Sequence, residues 1–386
     1  MASAPFPVVE IRSVANAQNE WVALLLGTPD EGLDDAGLLG VFGTADLLAA
    51  IAPLDCVVRL DDVAVLTPPI LNVLPANRVL LAVRAAALAT DGTARRLAEL
   101  QMAGYRVLID GALPEGVAAP IALRTVARDA CAELPRAGGL PALFGPHLAY
   151  QVDDMARYRA CENAGFSWFS GDYALQGSVP EGDDGTSRRH MLTMLALLAR
   201  DADSRELEAQ LKQYPALSYH LLKLVNSAAF SVGTQITGFA QAISRLGRRQ
   251  LQRWLQLLLY ARQHPDSPPN LMLPVAALRG AALEALCKRD GGDRDDQDLA
   301  FMAGVFSLLD RLFQMPMAEV VQDLNLPEHV EAALLRREGQ LGQRLRLAEA
   351  GRPDPETLEE AGVDGPDWWQ SQLHAYHWAI QVARNV

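Results

Sequence analysis

The pattern of apolar and polar positions changes character near residue 176. Before that point, short runs rich in Val, Leu and Ile are bounded by turn residues, which is typical of strands. Some runs are almost continuously apolar, as parallel strands buried on both faces are. Helical stretches lie between them, and this alternation predicts parallel βαβ units. The predicted strands are PVVEIRSV, WVALLLG, CVVRLDDVAV, VLLAVRA, YRVLID and IALRTVA.

Two helices in the first half carry clear end signals. The stretches TARRLAELQMAG and MARYRACENAG are each closed by a glycine, which helix C-termini prefer. Seven or eight strands of this kind would close a barrel, although about 175 residues is short for a fold that typically has about 250. The first half is therefore predicted to be α/β, with a shortened or incomplete TIM-like barrel.

The second half is predicted to be an all-helical bundle. A stretch rich in Gly, Ser, Pro and Asp, LQGSVPEGDDGTSRRH, separates the two halves as a linker would. It places a linker at 177–189 between domains at 1–176 and 190–386. Beyond it, apolar residues recur at helical spacing in QLQRWLQLLLYA, and DQDLAFMAGVFSLLDRLF is predicted to be one central helix.

Composition narrows the class of protein. The chain of 386 residues is half apolar and carries a formal net charge of −13, which argues against binding to nucleic acid through generic phosphate contacts. Its four cysteines form no CxxC pair, so we interpret them as small buried residues in a reducing compartment. No signal peptide and no continuous apolar span is evident, and the expected location is cytoplasmic.

Residues 5–176 resemble a shortened EAL domain, the barrel of cyclic-di-GMP phosphodiesterases. That family is named for a Glu-Ala-Leu on an early strand, whose Glu binds metal, with a phosphate-contacting Arg soon after. Here the matching run is Val22-Ala23-Leu24, and the Arg position falls at Leu26. The later family positions, an Asp-Asp pair, a Lys, a Val-Glu and a Gln-Gly, correspond to Asp110-Gly111, Arg124, Val152-Asp153 and Ser170-Gly171.

The resemblance leaves Asp110 and Asp153 as candidate ligand-binding residues. The alternative is that both carboxylates only cap the ends of strands or helices. Without the early Glu they are a poor set for Mg²⁺, which demands near-octahedral oxygen ligands. We therefore predict that this domain is degenerate, with no metal, no cofactor and no phosphodiesterase activity, so that the protein is not an enzyme.

The second half contains the stretch LLKLVNSAAF followed by ITGFAQAISRLG. On these residues, 188–386 resemble an HDOD domain, the HD-related output domain, and the order of the two halves is similar to EAL-HDOD, or YuxH-like, signalling proteins. The metal-binding His-Asp dyad of HD phosphohydrolases would fall at Ser307-Leu308, with Asp310 one turn further, so no metal is predicted there. Four residues of the motif are interpreted as holding a bend between two packed helices, and the alternative is a small-ligand or peptide site. They are Asn226, Ser227, Thr237 and Gly247.

Three arginines in the same region lie on one predicted helix face. Arg245, Arg249 and Arg253 recur at four-residue spacing. We interpret them as a solvated basic face or a docking surface for an acidic partner, because no groove-reading motif for nucleic acid accompanies them. The pair His374 and His377 has no nearby carboxylate or thiol to complete a metal site.

These observations favour a non-catalytic bacterial signalling protein that acts through protein–protein interaction in cyclic-di-GMP-type pathways. The expected partners are other signalling proteins, with self-association left open and no membrane involved. One alternative is a sensor that binds cyclic-di-GMP without cleaving it, and Leu26 disfavours this because no cation replaces the lost Arg nearby in sequence. The other alternative is a metal-dependent phosphohydrolase.

Overall fold

The computed structural model divides the chain into two compact units. The barrel unit comprises Met1–Ala174 with Gly351–Asp354, and the helical unit comprises Leu175–Ala350 with Pro355–Val386. The predicted linker at 177–189 lies outside the described residues, so the predicted domain boundaries stay a prediction. The structure describes residues 9–28, 30–44, 46–117, 123–176, 193–194, 196–197, 202–211, 241, 247–261, 269–322, 324 and 326–385.

Eight strands close a barrel in the order of the sequence. The first strand runs antiparallel to both of its neighbours, and the remaining neighbours are parallel. The prediction of a TIM-like barrel is confirmed, and the barrel is complete. Its strands are β1 (Ile11–Asn16), β2 (Trp21–Leu26), β3 (Asp55–Leu60), β4 (Val79–Arg84), β5 (Arg106–Asp110), β6 (Val126–Asp129), β7 (Leu148–Tyr150) and β8 (Trp168–Phe169).

Two of these strands were not predicted as strands. β7 and β8 have three and two residues, too short for alternation along the chain to be recognised. They close the barrel because β7 pairs with β6 and β8 pairs with β1. β6 begins at Val126, near the end of the predicted strand IALRTVA.

Helices cover the outside of the barrel between several strands. The predicted helices at 93–104 and 155–165 are both present, and the second ends at Gly165 with a left-handed φ of +106°. A side chain there would lie 2.5 Å from the carbonyl oxygen of Leu140, so the position requires glycine on two counts. The helices of this unit are α1 (Asp35–Phe42), α2 (Asp46–Ala50), α3 (Pro68–Val73), α4 (Thr93–Met102) and α5 (Met155–Ala164).

The helical unit confirms the predicted all-α second half. The prediction of a single helix over 296–313 is wrong, because the helix ends at Phe306 and a second one begins at Leu309. Between them, the hydroxyl of Ser307 donates to the Gly304 carbonyl at 2.8 Å. No helix among the described residues combines the length and the hydropathy needed to cross a bilayer. The described helices of the helical unit are α6 (Ser204–Leu211), α7 (Arg248–Leu258), α8 (Met272–Arg289), α9 (Arg294–Phe306), α10 (Leu309–Phe313), α11 (Met317–Gln322), α12 (Glu328–Arg336), α13 (Gly339–Glu349), α14 (Pro355–Glu360) and α15 (Gly365–Asn385).

Helices α8 and α9 pack closely through glycines. A Cβ atom on Gly304 would lie 2.6 Å from both the Arg279 carbonyl group and the Gly280 Cα. These are backbone atoms, so the helices themselves would have to separate. We expect Gly304→Ala to lower the free energy of unfolding by about 3 kcal/mol despite the better helix propensity of alanine. Denaturant unfolding of this variant beside Asp295→Ala, an exposed change on the same helix, measures the effect, and equal stabilities would contradict the close packing.

Candidate functional site

Side chains alternate between the inside and the outside of each barrel strand. The interior is filled by an apolar cluster that includes Val57, Leu80, Ala82, Leu108 and Leu148. Because alternation has a period of two, the residue two positions after an interior residue also faces inward, one layer nearer the C-terminal end. This end of a barrel of parallel strands is where such folds place their functional groups. We call it the barrel mouth, defined by Arg59, Arg84, Asp110, Arg128, Tyr150 and Ser170.

A buried ion pair lies at the centre of the barrel mouth. Arg59 and Asp110 are 4% and 7% exposed, and the guanidinium Nε lies 3.4 Å from the carboxylate Oδ2. The guanidinium carbon also stacks 3.9 Å from the centre of the Tyr150 ring. Arg59 Nη1 donates to the Gly27 carbonyl at 3.4 Å, so the cation reaches the end of β2.

Charges around Asp110 oppose the effect of its burial. Burial raises the pKa of Asp110, while Arg59, a hydrogen bond from Tyr150, Arg84 and Arg128 each act to lower it. Burial is also the first cause that raises the pKa of Tyr150, followed by the charge of Asp110. The carboxylate is therefore surrounded by three guanidinium groups and a phenol that keeps its proton at neutral pH.

The other two arginines, Arg84 and Arg128, lie at the edge of the barrel mouth. Arg84 forms an ion pair with Asp61, and about a third of its side chain is exposed. Arg128 Nη1 donates to the carbonyl groups of Ile109 and Ala127, at 2.9 and 2.8 Å. Burial lowers the pKa of Arg128, and Asp110 and Tyr150 raise it. Three cations therefore meet at the ends of β3, β4 and β6.

Several buried polar atoms of the barrel mouth have no hydrogen-bond partner within the described part of the chain. They are Arg59 Nε and Nη2, Asp110 Oδ1 and Ser170 Oγ. Buried polar atoms are normally satisfied, so the unpaired donors here indicate that a water or a bound group completes them. The planar fork of a guanidinium group matches the oxygens of phosphate or carboxylate. The arrangement is chemically suited to an anionic ligand.

The residues of the barrel mouth do not fit a divalent metal ion. Asp110 is paired with Arg59 and Asp61 with Arg84, so guanidinium groups occupy the sides of the carboxylates that a metal would need. Across the residues that the structure describes, no group of three or more His, Cys, Asp or Glu is arranged to hold a metal. We therefore derive no metal-dependent step at this site.

The two predicted ligand-binding carboxylates, Asp110 and Asp153, lie in different environments. Asp110 lies buried in the barrel mouth, whereas Asp153 is exposed after β7 and accepts a hydrogen bond from Cys131 Sγ at 3.5 Å. Cys131 is itself exposed, because it lies in the loop after β6, and Cys287 is only partly buried, so the expectation that all four cysteines are buried is wrong for these two. Arg124, matched to the family's Lys, stacks on Phe144 ahead of β6.

Sequence reasoning missed the arginines and the tyrosine of the barrel mouth. It compared each family position with the residue at the same place in the chain, and so considered only Leu26 and Arg124 as places for a cation in the barrel. A usable signal was present in VVRL and LAVR, where an arginine follows an interior strand residue by two positions. Arg128 lacks such a signal, because it comes one position after the interior residue Ala127 and not two.

The predicted basic face in the helical unit is paired internally at its described positions. Arg249 binds Asp298 and the Arg294 carbonyl, and Arg253 binds Asp298 at 2.9 Å and also Glu284. These contacts join α7 to α8 and α9, so the two cations serve packing within the unit. Gly247 is exposed, with φ of +77°, directly before α7. The remaining predicted residues of this region lie outside the described residues: Asn226, Ser227, Thr237 and Arg245.

An arginine contacts the position where the His-Asp dyad of HD phosphohydrolases would fall. Arg279 Nη1 donates to Ser307 Oγ at 2.9 Å and contacts Glu349 at 3.4 Å. Glu349 also pairs with Arg337 at 2.7 Å. Burial lowers the pKa of Arg279, and Glu349 is the first group that raises it. This cluster ties α8 to α13 through one shared carboxylate.

Comparison with known proteins supports the two-part organisation. The HDOD domain family model matches residues 189–326. Cyclic di-GMP phosphodiesterase CdgJ of Vibrio cholerae is 25% identical over 330 residues, covering 81% of this chain and 76% of CdgJ. The uncharacterized protein YuxH of Bacillus subtilis is 25% identical over 238 residues, 60% of this chain and 58% of YuxH. The solved EAL domain of Mycobacterium smegmatis DcpA covers 42% of this chain and 89% of its own, with 16% identity and a TM-score of 0.33. The predicted EAL-HDOD arrangement is confirmed.

The prediction that the protein is not an enzyme is contradicted by the first of these relatives. CdgJ matches four fifths of the chain and is named a phosphodiesterase, which points to enzymatic activity. The prediction depended on Val22 and Leu26, which stand where the EAL family has its metal-binding Glu and its Arg, and on Ser307-Leu308 in place of the His-Asp dyad. It took no account of groups that other strands bring to the same end of the barrel, such as Arg59.

Proposed function

We propose that the barrel unit binds cyclic-di-GMP at the barrel mouth and that the protein acts in cyclic-di-GMP signalling. Arg59, Arg84 and Arg128 hold the phosphate groups of the nucleotide in this proposal. It is carried by the buried donors of Arg59 that lack a partner among the described residues, because a phosphate would satisfy them. The name of CdgJ supports the identity of the nucleotide.

The position of Arg59 removes the reason for ranking nucleotide binding below a purely protein-binding role. That ranking depended on Leu26, where the family has an arginine. The contact from Arg59 Nη1 to the Gly27 carbonyl brings a guanidinium group to the same end of β2 from the neighbouring strand. A cation supplied across the sheet can make the phosphate contact that the sequence of β2 lacks.

Calorimetric titration of the full chain with cyclic-di-GMP tests the proposal. We expect micromolar binding for the wild type, and about ten- to hundredfold weaker binding for Arg84→Ala, because one hydrogen bond to a charged group contributes ~1.5–3 kcal/mol. Arg106→Ala is the matched control, since Arg106 pairs with Asp55 at the opposite end of the barrel.

The control variant should bind like the wild type. A wild type that releases no binding heat up to millimolar nucleotide would refute the proposal, and so would equal losses in Arg84→Ala and Arg106→Ala. Incubating the same samples with nucleotide and Mg²⁺, followed by chromatography for the linear dinucleotide, determines whether the bound nucleotide is cleaved. The signalling proposal accommodates either result, because it concerns recognition.

A further inference from the structure

We propose that Asp110 is an internal counterion that competes with the ligand phosphate for Arg59, and so sets how tightly the barrel mouth holds an anion. The inference rests on the proposed function for the identity of the nucleotide. It assigns to Asp110 a role opposite to that of a metal ligand: the carboxylate weakens ligand binding, and the phosphate displaces it from the guanidinium group.

The contact between the two side chains is loose for a buried pair. Arg59 Nε and Asp110 Oδ2 are 3.4 Å apart, whereas a charge-assisted hydrogen bond is about 2.7–2.9 Å long. Both partners keep buried atoms without a hydrogen bond, namely Arg59 Nε and Nη2 and Asp110 Oδ1. The guanidinium group is therefore positioned mainly by its stacking on Tyr150, while Nε and Nη2 stay available.

The groups that face Asp110 form a site for an anion. Arg59 on β3, Arg84 on β4, Arg128 on β6 and Tyr150 on β7 all act on its carboxylate. Three positive charges repel a divalent cation and attract a phosphate, and the single buried carboxylate among them repels that phosphate. Removing the charge of Asp110 leaves the same cations with less competition.

The direct test is Asp110→Asn, titrated with cyclic-di-GMP in buffer that contains EDTA. We expect binding about tenfold tighter than in the wild type, which corresponds to ~1.4 kcal/mol. Asp55→Asn is the matched control, because Asp55 starts the same strand that carries Arg59 and pairs with Arg106 at 2.7 Å at the other end of the barrel. The control should bind with unchanged affinity.

The wild type provides an independent readout that does not depend on how well the variant folds. Burial raises the pKa of Asp110 above the ordinary carboxyl value. Protonated Asp110 no longer neutralises Arg59, so affinity should increase as the pH falls through this pKa and decrease as the pH rises through it. A phosphodiester keeps its charge over the same range. The Asp110→Asn variant should show no such dependence.

Weaker binding by Asp110→Asn would overturn the inference, as would wild-type binding that EDTA abolishes and Mg²⁺ restores. If the variant fails to fold, the wild-type pH profile and the EDTA titration test the counterion role of Asp110. An affinity that rises with pH contradicts that role. Failure of the two proposals can be distinguished. A wild type that does not bind refutes the proposed function, whereas a wild type that binds with the opposite response to Asp110→Asn refutes only the counterion role.

Discussion

Replacing Arg59 with methionine is expected to lower the free energy of unfolding of the barrel unit by about 3–5 kcal/mol, because the buried charge of Asp110 loses its direct ion-pair partner. The stacking of the guanidinium group on Tyr150 is lost as well. Hydrogen exchange of barrel peptides in the full chain, followed through a denaturant series, measures the change in this unit separately from the helical unit.

The double variant Arg59→Met with Asp110→Leu separates a charge effect from a packing effect. Replacing both members of a buried pair with apolar residues is often neutral, so we expect the double variant to unfold near the wild type, within about 1 kcal/mol. As a surface control, Arg95→Met removes one partner of the exposed pair with Glu99 and should cost less than about 1 kcal/mol. Equal losses in the single and double variants would show that the charge of Asp110 is not the cause.

The second large effect is expected from Glu349→Ala in the helical unit. Glu349 is shared by Arg279 and Arg337, so its removal leaves one buried and one partly buried guanidinium group without their carboxylate. We expect a loss of about 3–5 kcal/mol in the free energy of unfolding, since an uncompensated buried charge is costly. Thermal and denaturant unfolding of the full chain measure it.

A matched change elsewhere in the same unit controls for the loss of a glutamate. Glu360 pairs with Arg346, and about half of each side chain is exposed. Glu360→Ala should therefore change the free energy of unfolding by less than about 1 kcal/mol. Glu349→Gln, which keeps an oxygen acceptor for both arginines, should lie between the wild type and Glu349→Ala. If Glu349→Ala unfolds with the same free energy as the wild type, the cluster of Arg279, Arg337 and Glu349 does not stabilise the unit.

The local pattern of the sequence predicted most elements and the order of the two halves. Apolar runs indicated six barrel strands, and glycine-closed helical stretches indicated α4 and α5 with ends correct to within two residues. Such signals are local, because burial on both faces of a strand and the capping of a helix depend on neighbouring residues. The exceptions were β7 and β8, and the break at Ser307, where a hydroxyl competes for the backbone carbonyl of Gly304.

The composition of the candidate site was predicted only in part. Asp110 was recognised because it keeps a family position in the chain. Arg59, Arg84 and Tyr150 were not, because each acts on Asp110 from a different strand, and only the closed barrel brings the ends of those strands together. In the same way, Arg249 and Arg253 form a basic face on a helical projection, yet in the folded unit both pair with Asp298, and Arg253 also pairs with Glu284.

The sequence by itself determined the two-part architecture and the alternation of strands and helices. It also showed that β2 lacks the Glu and the Arg that the EAL family carries there, since Val22 and Leu26 take their places. Tertiary structure alone decided which charges meet. A charge interacts through space with strength that depends on distance and burial, and neither can be obtained from positions along a chain. For that reason an early strand without ionisable side chains lies beside Arg59, and the candidate ligand-binding carboxylate of Asp110 is surrounded by arginines.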